Sequence, residues 1–333
     1  MSTIGLAHTL SDLRKQLNPD GSIDRVMEVL NQSNPVMQHI PMLEGDLPIG
    51  NKTTIRASLP SPSVRRINQG TAPTKGTTKQ IIDVCMSLED RSRIDVNLLK
   101  GKPNPEQYRS NEDDAHVEGM GQYVASKIFY GDLDVDPDTF NGLSVRFATP
   151  GGTTKGDASY QVTTSGIAGT NTNCSVWFID WGDRRVTGIY PKGTQAGLST
   201  QDLGESDVND AAGNPYRAVQ TLYGWDFGIA VQNVRSIAVC RNIDVTSLKA
   251  MSSANKLTLI ENLVYTKNRL QDAKNPIMYV PDTMYSLLEM YLLDKNNVHV
   301  TRQDFQNGLA GIRFGGIPVF KLDCLKENEG TFS

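Results

Sequence analysis

The sequence predicts an α+β protein whose helices and strands fall in separate stretches. Three observations carry that prediction. After Gly50 apolar and polar residues alternate with a period of two, Glu106 to about Tyr130 reads as one long helix, and residues 143–250 hold a series of short β-type runs before two late helical stripes and a closing strand.

The chain opens with an arm, residues 1–49. Leu6 to Leu17, and then Ile23, Val26, Met27 and Leu30, fall at helical spacing on either side of the Asn18-Pro19-Asp20-Gly21 turn. Pro35, Pro41 and Pro48 are expected to break any regular element after them. Two short helices have too little apolar surface to hold themselves, so the arm must lean on something else.

KTTIRASL and KQIIDVCMSL then read as paired strands, joined by the Pro-, Ser- and Gly-rich link from Pro60 to Thr78. The expectation is an extended hairpin over 50–82, with Ser87–Leu99 as a separate element packed under it. No acidic residue lies between Asp46 and Asp83, whereas Lys52, Arg56, Arg65, Arg66, Lys75 and Lys79 all do.

The long helix shows Val117, Met120, Val124 and Ile128 on one face and Glu112, Asp113, Asp114 and Glu118 in its first half, near the positive end of the helix dipole. Gly119 and Gly121 each cost up to about 1 kcal/mol relative to Ala inside a helix, which predicts a bend or a close neighbour. The following GDLDVDPDTFNG alternates carboxylates. A calcium loop beginning at Asp132 would need Gly at 137 and Glu at 143, where this chain has Pro137 and Leu143, so the segment reads as an acidic turn.

In the β-rich middle, LSVRFAT, SVWFIDW, VTGIYP, IAVQNV and SIAVCRNI are the strand candidates. Trp177, Trp181, Tyr190, Tyr216, Tyr223 and Trp225 sit among Gly, Asp and Asn rather than among basic residues, which favours packing over the stacking of bases. Beyond it Ser253 is placed to cap a helix carrying Leu257, Ile260, Leu263, Val264 and Leu270, ended by Asn275-Pro276. A strand, Ile277–Val280, leads to a helix capped by Asp282. Met284, Leu287, Leu288, Tyr291 and Leu292 form its clear one-sided stripe.

Composition narrows the function. The 333 residues carry a formal charge of −4, which argues against coating nucleic acid as a main task. No apolar run is long enough for a membrane-spanning helix and the N-terminus lacks a signal-peptide core, so a soluble, unexported chain is expected, without a membrane partner. Cys85, Cys174, Cys240 and Cys324 are widely spaced and read as reduced core residues. No phosphate-binding loop, nucleophile elbow, zinc-protease motif or complete dinucleotide fingerprint is present, and His8, His39, His116 and His299 are far apart. No catalytic, cofactor or metal residue is therefore assigned. What remains is a basic hairpin followed by the acidic stretch Glu112–Asp138, in which Lys127 is the sole Lys or Arg. An arm, a protruding hairpin and patches of opposite sign suit a subunit that repeats one head-to-tail contact.

Three stretches carry a family resemblance: NPIMYVPDTMYSLL (275–288), the Gly-Ile-Pro-Val strand at 316–319 after its Gly-rich approach, and AVQTLYGWDFGIAVQNVRSIAVCRNID (218–244). With the order of elements, they resemble the major capsid proteins of tailed double-stranded DNA phages, which share the Hong Kong 97-type fold; the third is similar to a block in short-tailed phage coat proteins. Many relatives begin with a long cleaved scaffolding segment where this chain has a short arm.

The resemblance implies an N-terminal arm (1–49), an extended loop (50–82), a peripheral domain (83–147 and 312–333) with a spine helix at about 106–130, and an axial domain (148–311). It further implies hexamers and pentamers of an icosahedral shell around packaged DNA held non-specifically, with separate scaffolding and portal proteins and a decoration protein. The site would be the virion, with assembly in the host bacterial cytoplasm. Because the family lays the extended loop over a neighbour, Arg56, Arg65, Arg66, Lys75 and Lys79 are expected to face Glu112, Asp113, Asp114 or Glu118 of the next subunit. A protein-loaded nanocompartment of the same fold, and a cytosolic α+β enzyme without a recognisable motif, are the alternatives.

Overall fold

The computed structural model describes residues 32, 34–100, 104–210, 212–249, 253–271, 273–292, 300–304 and 310–332. The two helices expected before residue 31, His8, His299 and the side chain of Ser253 lie outside the described residues.

The prolines of the arm delimit structure rather than prevent it. Pro35, at φ −62°, is already set for a helix and precedes α1 (Val36–His39), and β1 (Met42–Glu44) fits between Pro41 and Pro48. Val36 and Ile40 are buried, so the end of the arm belongs to the core.

The hairpin forms as expected from β2 (Gly50–Ser58) and β3 (Thr77–Asp95), antiparallel from Gly50 opposite Val84 to Ser58 opposite Thr77. Residues 87–95, however, are no separate element: β3 continues through them. Met86, Ser92 and Ile94 are buried on one side, and polar residues between them hide the two-residue period. Asp95 then caps the single turn α2 (Val96–Leu99) by accepting from the Asn97 amide at 2.8 Å.

The long helix is α3 (Pro105–Tyr130), with Pro in its first turn. Met120, Val124, Ala125, Ile128 and Phe129 are buried, while Val117 is 38% exposed and drops out of the expected stripe. Among the described residues a Cβ on Gly119 or Gly121 would meet no atom within 4 Å, so none of them is the close neighbour expected at either glycine. Gly131 ends the helix for a steric reason, since a Cβ there would sit 2.4 Å from the Phe140 carbonyl oxygen. LSVRFAT begins not as a strand but as one helical turn, α4 (Leu143–Arg146). Arg146 folds back to donate to Asp83 at 2.6 Å and to the Asn141 carbonyl at 2.9 Å, while Leu143 and Phe147 are buried one turn apart.

The strands β4 (Val162–Ile167), β5 (Asn173–Asp180), β6 (Val186–Tyr190), β7 (Leu198–Asn209), β8 (Pro215–Val231) and β9 (Ile237–Asp244) follow. Next come α5 (Val245–Lys249) and α6 (Ser253–Lys267), then β10 (Pro276–Val280) and α7 (Asp282–Leu292). The described chain closes with β11 (Val300–Asp304), β12 (Ala310–Phe314) and β13 (Ile317–Lys321). Helix α6 ends at Lys267, short of Asn275, and buries Leu259, Ile260 and Leu263 while Leu257 stays 54% exposed.

Two sheets result. One runs β1-β6-β8-β3-β2, with β7 also on β8; the other runs β11-β12-β13-β10-β5-β9-β4. Of the segment 312–325, expected to return to the peripheral sheet, β13 lies parallel to β10, with Met278 opposite Val319, in the seven-stranded sheet. Conversely β8, expected with the axial part, pairs along β3 from Cys85 opposite Gly228 to Asp95 opposite Ala218.

The seven-stranded sheet is apolar on both faces, which explains its unbroken hydrophobic runs. From β5, β9 and β10, Val176, Phe178, Cys240, Met278 and Val280 pack on the side of α6 and α7. Trp177, Ile179, Val239 and Tyr279 point the other way, against Val124, Ile128 and Phe129 of α3 and Phe227 and Ile229 of β8. The C-terminal half of α3 thus lies in the core between the sheets. On the opposite side Met284, Leu287 and Leu288 of α7 are buried, each worth about 1.5–3 kcal/mol.

Candidate assembly interface

The five basic residues singled out in the sequence are all exposed. Arg56 lies on β2 opposite Thr78, and Lys79 on β3 opposite Ile55. Arg65, Arg66 and Lys75 stand on the connection 59–76, which has no helix or strand of its own. Arg65 Nε donates to the Gln69 carbonyl at 3.2 Å. Among the described residues none of the five forms an ion pair with its own chain. The same connection carries Leu59, Val64 and Ile67 at 75%, 96% and 92% exposure. These apolar side chains, missed by a reading that followed charge, bracket the Arg pair. Their sequence signal was Val64-Arg65-Arg66-Ile67 in a stretch otherwise rich in turn residues.

The acidic residues fall elsewhere, on the first half of α3. Asp114 is exposed; Glu112, Asp113 and Glu118 are half-buried. Glu118 accepts from Gln122 Nε2 at 2.8 Å and from the Gln32 amide at 3.1 Å. Asp113 lies beside Tyr223, and burial together with that carboxylate pushes the phenol up. The fold does not join the two sets: among the described residues no ion pair connects the basic hairpin to the acidic helix within one chain.

The acidic face is wider than the sequence suggested. Arg109 of α3 donates to Asp202 of β7 at 3.0 Å and to Thr221 of β8 at 3.3 Å, which brings the start of the helix onto these strands. The Gly204 amide and then Arg109 hold Asp202 below the usual carboxylate range. Strand β7 adds exposed Glu205 and Asp207. It was missed because its half-buried positions, Gly204, Ser206 and Val208, are mostly small or polar and so give no apolar alternation to read. The acidic turn after α3 is spent on local contacts, with Asp136 pairing with Lys127 at 3.0 Å and Asp132 accepting from the Asp134 amide at 2.9 Å.

A buried clasp holds the surfaces in place. Arg241 of β9 has no solvent exposure, and its guanidinium lies 5.0 Å from the Trp177 ring and 3.9 Å from that of Phe332. It donates to the carbonyls of Phe147 and Ser144, both at 2.9 Å, and its Nη1 is 3.8 Å from Glu329. Glu329 also accepts from Tyr130, the last residue of α3, at 2.6 Å, and from Ser175 of β5. Desolvation pulls Arg241 down to about 10, against the pull of Glu329, so it stays charged at neutral pH. One carboxylate of the C-terminal segment thereby ties the spine helix to the seven-stranded sheet.

The four thiols, Cys85, Cys174, Cys240 and Cys324, are unpaired, and burial pushes them up, to about 12 for Cys85 and Cys324 and about 11 for Cys240. No helix among the described residues is long and apolar enough to cross a membrane, and no group of His, Cys, Asp or Glu among them is arranged to hold a metal.

A hairpin whose basic residues form no ion pair with their own chain among the described residues, a long helix between two sheets and an opposed acidic face belong to a shell subunit of the Hong Kong 97-type fold, the class of tailed-phage capsid proteins. The family model described as major capsid protein GP7 matches residues 18–333, and the chain belongs to that family. It is similar to the capsid protein in a near-atomic structure of bacteriophage Epsilon15, at 25% identity and a TM-score of 0.76, over 100% of this chain and 99% of that one. It also matches the bacteriophage JBD30 capsid (11% identity, TM-score 0.47, 90% and 94% of the two chains) and an encapsulin of Synechococcus elongatus PCC 7942 (12%, 0.45, 72% and 98%). No curated protein sequence matches. The chain is a structural protein that self-associates into the capsid shell of a virion.

Proposed function

We propose that the shell closes through a repeated head-to-tail contact in which the hairpin of one copy lies on the acidic face of the next, and that it encloses packaged double-stranded DNA without reading its sequence. The observation that carries this reading is the hairpin itself: Arg56, Arg65, Arg66, Lys75 and Lys79 have no ion pair within their own chain among the described residues, and Glu112, Asp113, Asp114 and Glu118 offer the opposite sign elsewhere. Each exposed pair contributes only ~0.2–1 kcal/mol. Covering Leu59, Val64 and Ile67 contributes about 1.5–3 kcal/mol apiece, so the apolar tip supplies most of the energy and the charges supply the direction.

In this reading 50–82 is the extended loop. The six-stranded sheet with α3 is the peripheral domain, and the seven-stranded sheet with α6 and α7 is the axial domain, which takes in β12 and β13. The partners are further copies arranged as hexamers and pentamers, separate scaffolding and portal proteins, a decoration protein and the packaged DNA. Assembly takes place in the host bacterial cytoplasm. The chain is assigned no reaction and no cofactor.

Reversing the Arg pair tests the contact. R65E/R66E is expected to fold as the wild type does, by circular dichroism and urea titration, and to yield at least tenfold fewer particles by negative-stain microscopy. Unchanged yield and salt tolerance would sink the contact. Nuclease-resistant DNA in purified particles separates a genome shell from a protein-loaded nanocompartment.

A further inference from the structure

Two strands of the six-stranded sheet carry an unpaired edge and opposite charge. β2, at one end of the path that begins with the short β1, pairs only with β3 among the described residues, and β7, off that path, pairs only with β8. An unpaired edge is a row of free backbone donors and acceptors, and folded proteins usually cover, shorten or charge it. Here neither edge is short, and each carries one sign. β2 presents Lys52 and Arg56, both exposed, within a stretch from Asp46 to Asp83 that has no acid. β7 presents Asp202, Glu205 and Asp207, all exposed; Asp202 pairs with Arg109 at 3.0 Å and Glu205 with Arg217 of the adjacent β8 at 3.4 Å, while β7 itself carries no Lys or Arg, so the edge keeps one sign along its own strand.

A strand that only had to repel others could carry either charge; two edges of one sheet with opposite charges repel their own kind and attract each other. Edge β2 against β2 and β7 against β7 are disfavoured, while β2 against β7 is favoured. A contact of that kind is heterologous: it leaves each copy with one free edge of each sign, so it repeats from copy to copy and forms a ring where the rotation between copies closes. The kink between Asp202 and Gly204, where the pairing with β8 shifts by one residue and Gly204 sits at φ +66°, leaves a regular stretch Glu205–Asn209 beyond it.

We propose that β2 of one subunit adds as an outer strand to β7 of the next, so that the six-stranded sheets of neighbouring copies become continuous across the shell. The occupant of the β7 edge is a second copy of this chain. The proposal rests on the reading that the hairpin reaches a neighbour, and it locates that contact on the hairpin's base strand and on β7 as well as at the tip.

The test is a charge swap read on assembled particles. K52E/R56E and, separately, E205K/D207K are each expected to lower particle yield about tenfold or more, while the unassembled subunit still unfolds in one cooperative urea transition, shifted slightly in E205K/D207K by loss of the exposed Glu205–Arg217 pair. An equal mixture of the two variants restores opposite charges only where the two alternate, which a ring of six permits and a ring of five does not, whereas the fourfold variant carrying both changes restores the pairing everywhere and should recover particle yield to within about twofold of wild type. Amide exchange gives the second measurement: 50–58 and 205–209 should exchange at least tenfold more slowly in wild-type shells than in free subunits. Single-side variants that assemble normally, a fourfold variant that stays as defective as its parents, or β7 amides that exchange equally fast in both states would each overturn the proposal. Failure of the R65E/R66E test with success of this swap would remove the tip contact and leave the strand contact standing; the reverse pattern would do the opposite.

Discussion

Arg241 and the pair Arg65–Arg66 are the same kind of side chain put to opposite uses. Arg241 has no exposure, is packed against two aromatic rings and donates to two carbonyls with Glu329 beside it, so its charge is settled inside one chain. Arg65 and Arg66 are exposed between Val64 and Ile67, and one carbonyl bond at 3.2 Å is the single hydrogen bond either side chain makes among the described residues. A buried cation tells how the subunit holds its two sheets together. An exposed cation flanked by exposed apolar groups tells what the subunit lacks until a second copy arrives.

The sharpest way to break this contrast is to remove the counter-charge of the clasp. Glu329→Ala leaves Arg241 buried without its carboxylate and takes an acceptor from Tyr130 and Ser175, at an expected cost of about 3–5 kcal/mol in urea denaturation of the free subunit. Replacing both partners, as R241M/E329L, should recover part of that loss because no lone charge stays behind. If Glu329→Ala costs less than about 1 kcal/mol, the C-terminal segment is not a clasp.

A smaller effect comes from the base of the arm, which lies between the two extremes. Trp181 Nε1 donates to the Tyr279 hydroxyl at 2.9 Å, which leaves that hydroxyl to donate to His39 Nδ1, also at 2.9 Å. Burial pulls His39 down, so the folded state prefers the neutral ring. With the folded pKa depressed, the unfolded chain takes up the proton first. The contribution is fully present above about 6.5 and is lost as pH falls from there through the folded pKa. A urea series at stepped pH should show wild-type stability falling below about pH 6.5 more steeply than that of His39→Asn; parallel curves would remove His39 from the anchor.

How much of this was legible follows from the same contrast. Helix α3, β10 and α7 show in the sequence because each buries one face or both in a run long enough to set a period, and the hairpin strands show through their β-branched Thr and Ile residues, although 52–58 and 77–82 are at most half-buried. Strand β7 does not, because its half-buried face carries Gly204, Ser206 and Val208, and one apolar side chain among small residues sets no period. The turn Leu143–Arg146 reads as β-type because its conformation is set by long-range bonds, Arg146 to Asp83 above all. The placement of β13 beside β10 also lies beyond local pattern, since the same Ile-Pro-Val-Phe strand would suit either sheet and the partner is set by packing against residues forty positions away. The basic and acidic candidates were legible as charge runs, whereas Arg241 and Glu329 have no neighbours in sequence that mark them as a pair.

The contrast is sharpened most by an effect expected to be near zero. Val64→Ser and Ile67→Ser act where the subunit touches nothing of itself, at 96% and 92% exposure, so the double variant should leave the urea midpoint of the free subunit within about 0.5 kcal/mol of wild type. In the shell the same groups are read as covered, and each copy then loses about 3–6 kcal/mol of contact energy, repeated at every interface. Particles should form at higher subunit concentration and dissociate at lower urea than wild type, by light scattering on the same preparations. If R65E/R66E abolishes assembly while the apolar variant leaves it untouched, the contact is electrostatic and should weaken steeply with salt. If the apolar variant is the more damaging, the arginines orient a contact whose energy comes from Val64 and Ile67, and assembly should tolerate salt far better than it tolerates the loss of two side chains.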